Sequence, residues 1–163
     1  MIVVCNTSPL TSLAAIGQFD LLHQLYGRLH IAEGVWEELN AGGQRWPGRE
    51  EVAAADWIER HTVQNRALVT ALRRDLDQGE AETIALALEL GADLVLLDER
   101  EGRHTAQRLE LGVIGLVLEA KARGALPAIR PHLDALRQKA GFYLSEPVYH
   151  AALSLAGESD TQR

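Results

Sequence analysis

The sequence predicts an α/β fold in which a central parallel sheet is covered on both faces by helices. Two apolar runs, "IVVC" at 2–5 and "LVLL" at 94–97, lack polar alternation, as strands buried on both sides require. Between and after them, segments with helical spacing alternate with further short apolar runs, the order that builds parallel sheets. At 163 residues the chain suits one domain, 1–163, with a substantial core.

Taken in order, "IVVC" is β-branched and apolar, and Cys5 reads as a small core residue. In "NTSPL", Asn6, Thr7 or Ser8 can cap a helix whose first turn holds Pro9, with Leu10, Leu13 and Ala14 at helical spacing. "FDLLHQLYG" predicts a second helix stopped by Gly27, and "LHIA" (29–32) a second strand. "EGVWEELNAGG" places Val35 and Leu39 one turn apart before a double glycine. A short helix is expected from Pro47, then a weak strand in 57–63, whose alternation is imperfect. Residues 65–77 and 80–90 predict two helices broken by Gly79. After "LVLL", helices are expected over 100–111, 115–123, 128–140 and 146–156, with "GVIG" (112–115) a brief strand or a turn.

Composition narrows the function. The chain is 47% apolar, with no low-complexity tract, so a packed fold is expected. A single cysteine allows no internal disulfide, which suits a cytoplasmic protein. No run reaches membrane-spanning length, and the N-terminus lacks the pattern of a secretory signal. The formal charge of −7 argues against a passive nucleic-acid coat, which needs a basic face, though not against a nuclease with a carboxylate centre.

In open parallel sheets, ligands bind beyond the carboxyl ends of the strands. Asn6 follows "IVVC" and Asp98 follows "LVLL"; Glu80, in a first helical turn, and Glu38, in "VWEEL", can reach the same edge. Each has a plainer reading. Glu80 suits a helix macrodipole, and Asn6 or Asp98 can cap the next helix. Glu82 stands about 200° around the helix from Glu80, so both cannot face one site. The six histidines (23, 30, 61, 104, 132, 150) show no metal-ligand spacing and read as surface or core residues. Trp36, Trp46 and Trp57 read as packing residues rather than base-stacking platforms.

The order of these pieces resembles a family. "NTSPLTSLAAIG", "GEAETIALALELGADLVLLDEREGR", "LEAKARGAL" and "GFYLSEPVYHAAL" together resemble PIN-domain proteins of the DUF3368 branch over essentially the whole chain. The resemblance implies a three-layer α/β/α fold and an Mg²⁺- or Mn²⁺-dependent ribonuclease, in many relatives the toxin of a toxin–antitoxin pair. It places the acidic metal cluster, which also performs the catalysis, at Asn6, Glu38, Glu80 and Asp98, with Ser8 orienting the first ligand or its water. Arg100, Arg103 and Lys121 are then candidates for the RNA backbone, with solvated helix charge as their plain alternative. A small antitoxin and a homodimer are the partners it implies. The donor set suits its metal, because Mg²⁺ takes hard oxygen ligands and keeps several waters.

Two departures stand out. The family's first acid is Asp, and Asn6 supplies an amide oxygen without charge and cannot act as a base. The segment after Asp98 is shorter than in relatives, with Val113 where threonine is usual. A second reading follows: a PIN fold with weakened or lost catalysis that still binds RNA or protein. Other α/β chemistries lack their signatures. An aspartyl phosphatase needs Asp in place of Asn6, a phospho-receiver domain needs an acidic pair there, and no glycine-rich phosphate loop follows the first strand.

Overall fold

The computed structural model describes residues 1–43, 46–97, 110–111, 113–139 and 146–158. Five strands, β1 (Val3–Cys5), β2 (Leu29–Ala32), β3 (Ile58–His61), β4 (Leu94–Leu96) and β5 (Glu110–Leu111), form one sheet in the order β3-β2-β1-β4-β5. Every pairing is parallel. Helices α1 (Thr7–Ala15), α2 (Asp20–Tyr26), α3 (Glu33–Leu39) and α4 (Arg49–Ala54) fall in the first third of the chain. Then come α5 (Arg66–Leu72), α6 (Gln78–Leu90), α7 (Val113–Ala122), α8 (Arg130–Lys139) and α9 (Glu146–Leu155).

Alternation along the strands sorts the core into two layers. Val3, Cys5, Leu29, Ile31 and Leu96 face one side, where they pack with residues of α1, α2, α3, α7, α8 and α9. Val4, Ala32, Val95 and Leu97 face the other, against Val69 of α5 and Ala81, Ala85 and Leu86 of α6. The apolar strands are thus buried on both sides, and the three-layer α/β/α architecture follows. Cys5 is a buried free thiol. Among the described residues, no helix is long and apolar enough to cross a membrane.

Gly79 does not break a helix. The interruption falls at residues 73–77; Asp77 caps α6, and Gly79 lies inside its first turn. The reason is steric: a Cβ at position 79 would overlap the Glu38 carboxylate of α3. Helix propensity, which penalises glycine, gives way to a tertiary close approach. The "GVIG" stretch also differs from expectation. The edge strand lies just before it, at Glu110–Leu111, and α7 begins at Val113. The helix expected over 100–111 lies mainly outside the described residues. Trp57 packs on Phe19 and stacks on His23, and Arg60 covers Trp36, while Trp46 is 45% exposed and so departs from a packing role.

Candidate functional site

The strand order reverses between β1 and β4. β2 and β3 are added to one side of β1, and β4 and β5 to the other. Such a switch point leaves a crevice beyond the carboxyl ends of the two central strands. Helix α1 leaves β1 at this rim, and α3 leaves β2 there. Helix α6 feeds the opposite end of β4, so its first turn also lies at this rim.

Asn6 stands at the end of β1, where its N–H continues the pairing by donating to the Leu96 carbonyl at 3.0 Å. It occupies the N-cap position of α1 in extended conformation, yet its side chain makes no capping hydrogen bond. The amide is instead 2% exposed and turned toward α6, where the Thr83 hydroxyl lies 3.3 Å from Oδ1. The same hydroxyl donates to the Gly79 carbonyl at 2.7 Å.

Glu38 joins three elements. One carboxylate oxygen accepts from the Thr7 hydroxyl at 2.5 Å, and the other accepts from the Gly79 N–H at 3.0 Å. Burial pushes this carboxyl above its ordinary 4.5, and the charge of Asp77 adds to the rise; the two donors oppose it without cancelling it. The hydroxyl on Glu38 belongs to Thr7; Ser8, one residue later, is half-buried in the first turn of α1, and its carbonyl accepts from Thr11.

Glu80 folds back over the start of its own helix. Its carboxylate accepts from the Asp77 N–H at 3.1 Å while Asp77 accepts from the Glu80 N–H at 2.8 Å, a reciprocal capping box. Glu82 points elsewhere, as its position around α6 requires. It is buried, taking Arg66 at 3.3 Å and Gln78 at 2.9 Å. A Cβ on Gly34 of α3 would overlap this carboxylate, just as one on Gly79 would overlap Glu38. Helices α3 and α6 thus exchange acids, each seated in the other's glycine.

Asp98, Arg100 and Arg103 lie outside the described residues. Leu97, the residue before Asp98, is buried next to the strand that pairs with β1. Lys121 is engaged in packing: its ammonium donates to the Ala156 carbonyl at 2.6 Å and to Glu158 at 2.8 Å.

The structure therefore brings Asn6, Glu38 and the first turn of α6 together, with Glu80 at that turn. Sequence reasoning missed Thr7, Asp77, Gly79 and Thr83. The signal for Asp77 was present, since D-x-x-E before an apolar run spells a capping box. Oxygen donors of this kind, with the Asp77 carboxylate close enough to act on Glu38, fit a hard divalent cation.

Two of the six histidines meet in space although their spacing in the chain does not show it. Among the described residues, the His, Cys, Asp and Glu side chains with three ligand atoms all within 4.8 Å are those of His30, Glu59 and His61, not the rim acids. His30 and His61 are 31 positions apart and meet because β2 and β3 pair in parallel, with His30 opposite Glu59 and His61 two residues further on the same face. Linear spacing cannot show such a pair.

No curated protein and no solved structure matches the chain. A family model does: DUF3368, described as a PIN domain, covers residues 2–158. With that model spanning nearly the whole length, this chain belongs to the DUF3368 family of PIN domains.

Proposed function

We propose that the protein is a metal-dependent endoribonuclease of the PIN type. The observation that carries this reading is the meeting of the Asn6 amide and the Glu38 carboxylate with the start of α6 beside the sheet's switch point. Asn6, Glu38, Glu80 and Asp98 would hold Mg²⁺ or Mn²⁺, which when bound supplies charge neutralisation at a scissile phosphate and a more acidic water.

The chain's own residues set the conditions for that chemistry. Thr7 and Gly79 fix the orientation of Glu38, so its carboxylate needs little reorganisation. Asp77 holds the backbone from which Glu80 projects. Burial of Asn6 and Thr83 keeps bulk water from the floor of the crevice. Arg100 and Arg103, following Asp98 in the chain, would meet the RNA backbone. The same reading includes restraint by a small antitoxin protein, in keeping with an activity harmful to its own cell.

The test is cleavage of a labelled RNA with Mn²⁺ or Mg²⁺, against an EDTA control. Glu80→Gln and Asp98→Asn should each slow it about 100-fold or more, roughly 2.7 kcal/mol of transition-state stabilisation. Wild-type rates in both variants would overturn the site assignment. A second reading, an RNA- or protein-binding PIN module with weakened catalysis, is favoured by one feature: the first acid is an amide facing a threonine hydroxyl. On that reading Asn6→Asp strengthens Mn²⁺ binding and raises a low cleavage rate, whereas an unchanged metal response would exclude a site one charge short.

A further inference from the structure

The His30–Glu59–His61 cluster stands apart from the rim acids. It lies on the outer two strands, where β3 is an edge, and on the face of the sheet that α5 and α6 cover. His30 Nδ1 and His61 Nε2 are 2.9 Å apart. Glu59 offers one oxygen 3.8 Å from His30 Nδ1 and the other 3.7 Å from His61 Nε2. We propose that these three side chains form a binding site for a late divalent transition ion, Zn²⁺ in the first instance, separate from the oxygen-rich rim.

The geometry suits such an ion. Nitrogens bound to one zinc at ~2.0 Å lie roughly 2.9–3.4 Å from each other for angles between a right angle and a tetrahedral one. The imidazole nitrogens already have that separation; Glu59 brings a different oxygen within 3.8 Å of each, and its half-exposed side chain must turn inward for one oxygen to join both nitrogens on the ion. Two nitrogens and one carboxylate favour zinc and its neighbours over magnesium, which prefers oxygen alone.

The surroundings agree. The imidazole side chains are 14% and 22% exposed and are set by strand pairing, whereas Glu59 is 49% exposed and can swing inward. Arg28, 3.5 Å from one Glu59 oxygen, can keep a hold on the carboxylate while the other oxygen turns to the ion. A groove of about 670 Å³, walled in part by His61, Gln64, Asn65 and Leu86, opens at the end of β3 and reaches the cluster at the His61 ring. Binding needs no net loss of a proton from neutral rings. The imidazole that donates in the His–His hydrogen bond changes tautomer, and its proton moves to the ring nitrogen facing away from the ion.

The site does not depend on the nuclease reading, and its test uses no RNA. The full chain, stripped with EDTA, is titrated with Zn²⁺ against a chromogenic chelator, and Co²⁺ is added in parallel for its visible absorption. One equivalent of Zn²⁺ should bind at about 1 µM or tighter. His61→Gln and Glu59→Gln, both at accessible positions and checked for native circular dichroism, should each weaken binding about tenfold or more and alter the Co²⁺ spectrum. A hundredfold excess of Mg²⁺ should not compete. A wild-type affinity weaker than about 100 µM, or variants that bind within a few-fold of wild type, would overturn the assignment.

Discussion

Glu38 shows how one carboxyl can stabilise a site and strain a fold together. Its oxygens each receive a donor, yet burial and Asp77 leave the carboxyl with a raised pKa. For an acid, a raised folded value means that the native state holds its proton more tightly than the unfolded chain does. Stability is therefore greatest below the ordinary 4.5 and falls as pH rises through the window between that value and the folded one. At neutral pH the ionised group costs stability. Glu38→Gln, whose amide can accept from Gly79 and donate to Thr7, should raise the melting temperature of the metal-free protein at pH 7 and leave it unchanged near pH 4. A thermal-shift series across pH checks this, and the opposite sign at pH 7 would mean that Glu38 is a net anchor when empty.

At the scale of elements, Gly79 carries a prediction that runs against helix propensity. An exposed helical glycine replaced by alanine gains about 1 kcal/mol. Here the new methyl would collide with Glu38, so Gly79→Ala should instead cost about 1–3 kcal/mol, read from urea unfolding. The same contact explains where the sequence could be read and where it could not. "IVVC", "LHIA" and "LVLL" announced their strands because a strand buried on both faces needs unbroken apolar character. The start of α6 was misplaced by two residues because Gly79 looked like a breaker when considered with its neighbours in the chain alone. Its partner is 41 positions away. The histidine cluster escaped for the same reason: cross-strand register, not spacing, brings the rings together. Asn6 and Glu38 were legible as site candidates, through strand ends and the family pattern. Thr7 and Thr83 were not, because a lone hydroxyl carries no signal until its acceptor is known.

At the scale of the whole molecule, Glu158 fastens the chain's last described turn to the body. Its carboxylate accepts from Lys121, from the Ile129 N–H at 2.8 Å and from the Arg130 N–H at 3.2 Å, so it links α7, the start of α8 and the end of α9. Burial alone would raise its pKa, but the Lys121 ammonium and the two backbone donors outweigh that and hold it below 4.5. A depressed folded value puts the stabilisation above the unfolded pKa and removes it as pH falls through the folded one. Glu158→Ala should cost about 2 kcal/mol at pH 7, and much less at strongly acidic pH, in chemical denaturation. An equal loss at both pH values would show that shape rather than charge does the fastening.

The exchange of acids between α3 and α6 has a consequence for anyone redesigning this rim. Positions 34 and 82, and positions 38 and 79, are coupled by volume, since each glycine leaves room for only the carboxylate opposite. A larger side chain at either glycine requires the facing carboxylate to move aside or to be shortened. Enlargement at either glycine should therefore be tolerated best with a shorter residue opposite, and a library that varies 34 with 82, and 79 with 38, should yield more folded variants than one that varies the glycines alone.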